Sequence, residues 1–247
     1  MAQLDNRHVV VTGGGIGIGR AIALRLARDG AALSLLARTR DRLESVAAEA
    51  GGAHVETCDI RDREQVDRAI SAAAEAQGPI FALVANSGIG GPNEPGGGDR
   101  FDDIVATNLT GTYSCVRAVE RNLAGEAHIV VISSILGRLG ASGYTGYCAS
   151  KTGLLGLVRA LAFELAPRNV QVNAICPGWV DTDMAWQGLD AMPGTREEAY
   201  AEAMAAVPRR RMSEPEDIAG TVAWLLSPDA RGVTGQAIDQ NGGAWMG

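Results

Sequence analysis

Aromatic residues make up only 4% of this 247-residue chain, and cysteine and histidine are scarcer still. The four cysteines, Cys58, Cys115, Cys148 and Cys176, stand far apart with no CxxC pair, and the three histidines, His8, His54 and His128, are scattered. That supplies neither a disulfide framework nor a metal-ligand set, and it reads as small buried hydrophobes in a reducing cytoplasm. No run approaches the ~18 apolar residues of a membrane span. The opening stretch MAQLDNRHVVVTGGG lacks the apolar region and cleavage site of a signal peptide, so a cytoplasmic location is expected. Dense basic runs are missing too. The net charge is −7 and Arg209-Arg210-Arg211 is the one basic cluster, which argues against nucleic-acid binding. What is there is 46% apolar residues and 32 glycines. That suffices for a sizeable core, and residues 1–247 read as one domain.

Short apolar runs alternate with longer helical patterns. Strands are expected at His8–Thr12, Ala32–Ala37, His54–Cys58, Ile80–Ala85, His128–Ser133, Val170–Ile175 and Gln236–Asp239. They are rich in Val, Ile and Leu without strict alternation, as strands covered on both faces are. Helices are expected at Gly17–Asp29, Asp41–Ala50, Asp62–Gln77, Phe101–Leu123, Tyr144–Ala166 and Pro215–Leu226, the last capped by Ser213. The alternation implies βαβ units, a parallel sheet and a doubly wound α/β fold. Gly88–Gly98 is read as a loop, not a linker. The long connection 182–212 reads as a partly helical lid over a substrate pocket.

After the first strand comes Thr12-Gly13-Gly14-Gly15-Ile16-Gly17-Ile18-Gly19, then a helix. Missing side chains at Gly13, Gly17 and Gly19 let the backbone approach a pyrophosphate at the helix N-terminus, with Gly15, Ile16 and Ile18 alongside. The second strand ends Leu36-Ala37-Arg38-Thr39-Arg40, without the acidic residue that would bind ribose hydroxyls and favour NAD(H). A guanidinium there suits a 2′-phosphate, so NADP(H) is expected, with Arg38 as principal contact and Arg40 or Thr39 assisting. The plainer alternative has Arg38 stacking on adenine or facing water. Asp59-Ile60 fits the adenine edge, or a simple capping aspartate. Asn86-Ser87-Gly88 offers a polar turn beside the ribose.

Two tyrosines, Tyr144 and Tyr147, precede Lys151. A phenol has a pKa of about 10, and a neighbouring ammonium favours the phenolate. On a helix Tyr147 and Lys151 are i and i+4 neighbours, whereas Tyr144 is two turns from Lys151. Tyr147 is therefore the better acid–base candidate. Ser134 ends the fifth strand, where its hydroxyl can stabilise charge on a substrate oxygen, with Ser133 as competitor on the opposite face. Asn108 occupies an awkward mid-helix position.

Together, Thr12-Gly13-xxx-Gly17-x-Gly19, Asn86-Ser87-Gly88, Asn108, Ser134, Tyr147-xxx-Lys151 and Pro177-Gly178 resemble the short-chain dehydrogenase/reductase family in its order and spacing. The resemblance implies a Rossmann-type fold with seven parallel strands in the order 3-2-1-4-5-6-7, helices on both faces, a lid at about 183–212, and assembly as a homotetramer. It implies ketone–alcohol interconversion. Tyr147 is the acid/base, Lys151 lowers its pKa and binds the nicotinamide ribose, Ser134 orients the carbonyl, and Asn108 holds a relay water. It also implies that Pro177, Gly178, the backbone near Val180 and the Thr182 hydroxyl hold the carboxamide. Two departures stand out. Ala85 replaces the first asparagine of the usual Asn-Asn-Ala-Gly, and Asn241-Gly242-Gly243 replaces an aspartate-glycine-glycine.

Within the family the motifs are most similar to 3-oxoacyl-thioester reductases and polyketide ketoreductases. Arg168 matches one of two arginines used to dock a carrier protein, while Gly125 stands at the other; Arg209 and Arg210 face a CoA or carrier phosphate, or water. The substrate pocket is expected to be lined by Tyr144, Trp179, Met184, Trp186, Leu189 and Met192, with Ile89 and Leu136 nearby. That set favours a small-molecule acyl, cyclic or aromatic ketone, free or as a CoA or acyl-carrier thioester. A non-catalytic nucleotide sensor is the alternative from another class.

Overall fold

The computed structural model describes residues 4–93, 96 and 98–247; residues 1–3 of the opening stretch and 94, 95 and 97 of the Gly88–Gly98 loop lie outside the described residues. Seven strands form one parallel sheet: β1 (His8–Thr12), β2 (Ala32–Ala37), β3 (His54–Thr57), β4 (Ile80–Ala85), β5 (Leu123–Ile132), β6 (Val170–Pro177) and β7 (Ala237–Gln240). Their order is β3-β2-β1-β4-β5-β6-β7, a Rossmann-type doubly wound sheet. The chain reverses direction across the sheet between β1 and β4, and ligands of such sheets bind outside the carboxyl ends of the strands there.

The absence of alternation in β1 has a direct cause. Val9 and Val11 pack into one apolar layer and Val10 into the other, all three with no exposed surface. One layer is completed by α1 (Gly17–Arg28), α2 (Arg40–Glu49) and α9 (Pro215–Leu225), through Ile22, Leu26, Leu43, Val46, Ile218 and Val222. The other is completed by α3 (Arg63–Gln77), α5 (Thr112–Val119) and α6 (Thr145–Leu165), through Val66, Ile70, Val116, Val119, Leu154 and Val158. Each such side chain contributes about 1.5–3 kcal/mol when fully buried.

Several expected element ends move by a residue or two, and three changes alter how elements meet. The helix expected over Phe101–Leu123 is α4 (Phe101–Val105), a π-helical turn (Ala106–Gly111) and α5, ending at Val119. Leu123 instead begins β5, pairing with Ile80 before the register shifts and His128 meets Ala82. Glu214, not Ser213, caps α9, with its N–H donating to the Asp217 carboxylate at 3.0 Å. Ser213 is engaged elsewhere: its backbone pairs with Trp179 and Asp181, closing the base of the lid.

That lid consists of α7 (Asp183–Asp190) and α8 (Arg196–Ala205) around their own small core of Leu189, Met204, Val207 and Met212. No helix among the described residues is long and apolar enough to cross a membrane.

Candidate active site

A cleft of about 760 Å³ runs across the carboxyl ends of the strands, within the range of small-molecule sites. Its floor is the turn between β1 and α1. Gly13 has φ +68°, and a Cβ on Gly19 would fall 2.1 Å from the Gly13 carbonyl oxygen, so only glycine permits this crossing. Asn86 locks the turn from β4: its amide donates to the carbonyls of Thr12 and Gly13 at 3.1 and 3.3 Å. The Thr12 hydroxyl returns the contact by accepting the N–H groups of Asn86 and Ser87, each at 3.1 Å. Gly13, Gly15, Ile16, Gly17, Ile18, Gly19, Asn86, Ser87 and Gly88 all line the cleft.

One end of the cleft is cationic. Arg38 and Thr39 line it and are exposed. Arg40 does not: it pairs with Glu44 one turn along α2 at 3.2 Å, which leaves Thr39 as the expected assisting residue that lines the cleft. Arg42 also lines the cleft, with its Cβ 3.1 Å from where a Cβ on Gly15 would stand. Asp59 and Ile60 form the adjoining wall. The Arg61 guanidinium, bound to the Asp59 carboxylate, holds that carboxyl below its usual range.

At the other end β5, α6 and β6 meet. Ser133 and Ser134 have separate tasks. Ser133 donates to the Lys151 carbonyl at 2.9 Å, a structural bond to α6. The Ser134 oxygen accepts the Leu136 N–H at 3.1 Å, which leaves the hydroxyl proton free to donate. Tyr147 is half-buried in the first turn of α6 and lines the cleft with Ser134 and Lys151.

Lys151 is 5% exposed, its ammonium donating to the Ile132 carbonyl at 2.9 Å and lying 5.6 Å from the centre of the Tyr147 ring. It is the only lysine in the chain, a signal that counting alone would have found. Burial pulls it down to about 8.

The expected lowering of the Tyr147 pKa is not what the geometry produces. Burial pushes the phenol above its usual value, and the Ser134 hydroxyl only partly offsets this. The Lys151 ammonium is hydrogen-bonded to the Ile132 carbonyl, with the Tyr147 ring beside it.

Asn108 lies in the π-helical turn and is wholly buried. Its Oδ1 accepts the Ile89 N–H at 2.8 Å, and its Nδ2 donates to the Ile89 carbonyl at 3.0 Å and the Ser150 hydroxyl at 3.1 Å. The side chain is thus consumed in fixing the segment after β4. Gly88 threads between it and Lys151, where a Cβ would sit 3.1 Å from Oδ1 and 3.5 Å from Nζ.

Pro177, Gly178, Val180 and Thr182 reach the cleft from β6. Thr182 caps α7, and its methyl lies over Gly17, joining lid to glycine turn. Of the expected substrate wall, Tyr144, Trp179, Met184, Met192, Ile89 and Leu136 line the cleft. Trp186 and Leu189 do not. Leu189 fills the lid's own core. Trp186 turns away, donating to Asp181 at 2.6 Å and stacking on Tyr200 with ring centres 5.8 Å apart. Gly90 and Gly91 join the wall unforeseen. Met184 packs so close to Gly90 that a Cβ there would meet its sulfur at 2.9 Å.

The residues present fit a dinucleotide carrying an extra phosphate. A side-chain-free cradle faces a helix N-terminus, and two guanidinium groups flank one end. Among the described residues no cluster of histidine, cysteine or carboxylate side chains could hold a metal.

The family model described as enoyl-(acyl carrier protein) reductase matches residues 14–244. The 3-oxoacyl-[acyl-carrier-protein] reductase MabA of Mycobacterium tuberculosis is 36% identical over 252 residues, covering 98% of this chain and 94% of the relative. A putative ketoacyl reductase of Streptomyces coelicolor is 36% identical over 265 residues, covering 98% of each. A solved variant of actinorhodin polyketide ketoreductase with NADPH is similar at TM-score 0.91 and 36% identity, across 99% of both chains.

Proposed function

The chain belongs to the short-chain dehydrogenase/reductase family, and from that premise we propose that this oxidoreductase uses NADPH to reduce the ketone of a 3-oxoacyl thioester, carried by CoA or an acyl carrier protein, to a secondary alcohol. The supporting observation is the convergence of Ser134, Tyr147 and Lys151 at one end of the cleft whose other end presents Arg38 and Arg42. The MabA relative is named for this reaction.

NADPH, when bound, supplies a hydride to the carbonyl carbon. The glycine turn carries its pyrophosphate, Arg38 and Arg42 its 2′-phosphate, and Asp59-Ile60 its adenine edge. Val180 and Thr182 hold the carboxamide. The Ser134 hydroxyl donates to the ketone oxygen, and the Tyr147 phenol delivers the proton that completes the alcohol, a step worth about 10²–10⁴-fold. A raised phenol keeps that proton at neutral pH, which suits reduction. The Lys151 ammonium stabilises the resulting phenolate, and its remaining N–H groups hold the ribose. Because the Asn108 amide is occupied, a relay water would rest on its main chain. The molecule acts as a cytoplasmic homotetramer of single-domain chains.

A second reading, reduction of a cyclic or aromatic ketone, is favoured by the aromatic residues Tyr144 and Trp179 in the cleft lining and by the polyketide ketoreductase likeness. The test is NADPH and NADH oxidation against 3-oxoacyl-CoA, cyclic ketones, aromatic ketones and sugars. NADPH consumption with the thioester is expected. Tight NADPH binding with no turnover on any ketone would make the protein a sensor instead.

A further inference from the structure

Helix α6 presents Tyr147 in its first turn, yet its own cap residue is Tyr144, whose side chain makes no capping hydrogen bond. First-turn N–H groups have no partner within a helix and need one from elsewhere. Here it comes from a distant loop. Asn93, 6% exposed, accepts the Gly146 N–H on its Oδ1 at 2.9 Å. Its Nδ2 donates to the Thr145 hydroxyl at 2.8 Å and the Asp99 carboxylate at 3.1 Å. Its backbone N–H donates to the Gly143 carbonyl at 2.8 Å. Asp99 in turn accepts the Phe101 N–H that opens α4 at 2.9 Å.

The residue before Tyr147 is therefore gripped by Asn93. On the next turn Ser150, whose hydroxyl donates to the Tyr147 carbonyl at 2.9 Å, is gripped by Asn108. The two asparagines also hold both ends of the segment 89–93, whose Ile89, Gly90 and Gly91 line the substrate end of the cleft. Asn93 does not line the cleft itself. We propose that Asn93 is a positioning residue: it caps α6 from the opposite wall and, together with Asn108, sets where the Tyr147 phenol stands relative to Ser134 and the bound ketone. This rests on the ketone-reduction reading above.

The predicted consequence is a loss of rate without a loss of cofactor binding. Asn93→Ala removes the cap. Misplacing a reacting group by about 1 Å can cost on the order of 10²-fold in rate, so kcat for 3-oxoacyl-CoA reduction should fall ten- to hundredfold, with the NADPH Kd within about threefold of wild type. The exchange-type swap Asn93→Asp with Asp99→Asn keeps an acceptor for Gly146 and reverses the donor between 93 and 99, so it should restore most of the rate. Amide hydrogen exchange at Gly146, read without any substrate, should quicken in Asn93→Ala and recover in the swap.

If Gly146 exchange responds while kcat stays at the wild-type level, Asn93 is merely structural and the proposal fails. Unchanged exchange fails it as well, whatever the activity. Should Asn93→Ala not fold, the swap alone decides: a folded swap with tenfold or greater loss of kcat overturns the proposal. Should the wild-type protein reduce no ketone, the reaction reading falls, and exchange at Gly146 still reports whether the cap exists.

Discussion

At the arginine end of the cleft, Arg38 is exposed to water; at the tyrosine end, Lys151 is 5% exposed and is drawn down to about 8. The same cleft thus uses charge in two ways. Where water is admitted, a guanidinium costs little to keep and serves as a recognition group. Where water is excluded, an ammonium is expensive, its proton becomes exchangeable near neutral pH, and a phenol beside it is pushed the other way. In the proposed reaction, recognition belongs to the first environment and proton transfer to the second.

Substitutions should separate the two ends, and the largest effect is expected at the buried one. Tyr147→Phe should lower kcat by about 10²–10⁴-fold while NADPH binding, measured by fluorescence or calorimetry, stays near wild type. Near-normal turnover would remove the chemistry from that end. At the exposed end, a charge-assisted hydrogen bond is worth about 1.5–3 kcal/mol. Arg38→Asp should therefore shift the NADPH-over-NADH ratio of kcat/KM by roughly 10–150-fold toward NADH. Arg42→Ala should raise the KM for NADPH by a smaller factor, and Arg40→Ala, already paired with Glu44, should change neither.

The sign of the pH dependence sharpens the contrast. Lys151 holds its proton below about 8 and loses it above, while Tyr147, raised by burial, keeps its own. The kcat/KM for reduction should be level through neutral pH and decline above about 8 by up to about tenfold per unit. Because Lys151 is the only lysine, a protein labelled at lysine yields one side-chain NMR signal, and its midpoint should fall near 8. A midpoint close to 10.5, the ordinary lysine value, would mean that the site is wetter than its burial indicates. A small effect is also expected in the lid. Trp186→Phe should change kcat/KM by less than about threefold, since the indole does not line the cleft and only its hydrogen bond to Asp181 is at stake.

Legibility followed chain proximity. The alternation of strands and helices, the glycine turn, the place of Arg38 after the second strand and the Tyr147–Lys151 pair were readable because each is a local pattern with a fixed period or spacing, whereas the strand order came from the family resemblance. Arg42 was not foreseen, because only the fold shows that Glu44 pairs with Arg40 and that Arg42 packs over Gly15. Trp186 looked like Trp179 in the sequence; only the partner Tyr200 on α8 showed which indole had been turned away. Asn93 carried no local signal at all, since its partners lie at 99, 143, 145 and 146.

The amino-acid sequence by itself determined the doubly wound sheet, the side-chain-free turn at Gly13 and Gly19, and the helical face that joins Tyr147 to Lys151, because backbone sterics and helical period act within a few residues. Only the tertiary structure decided the protonation of that pair and the fixing of their helix. Burial at the meeting of β5, α6 and β6 raises one pKa and lowers the other, and an asparagine some fifty residues away caps the turn that holds them.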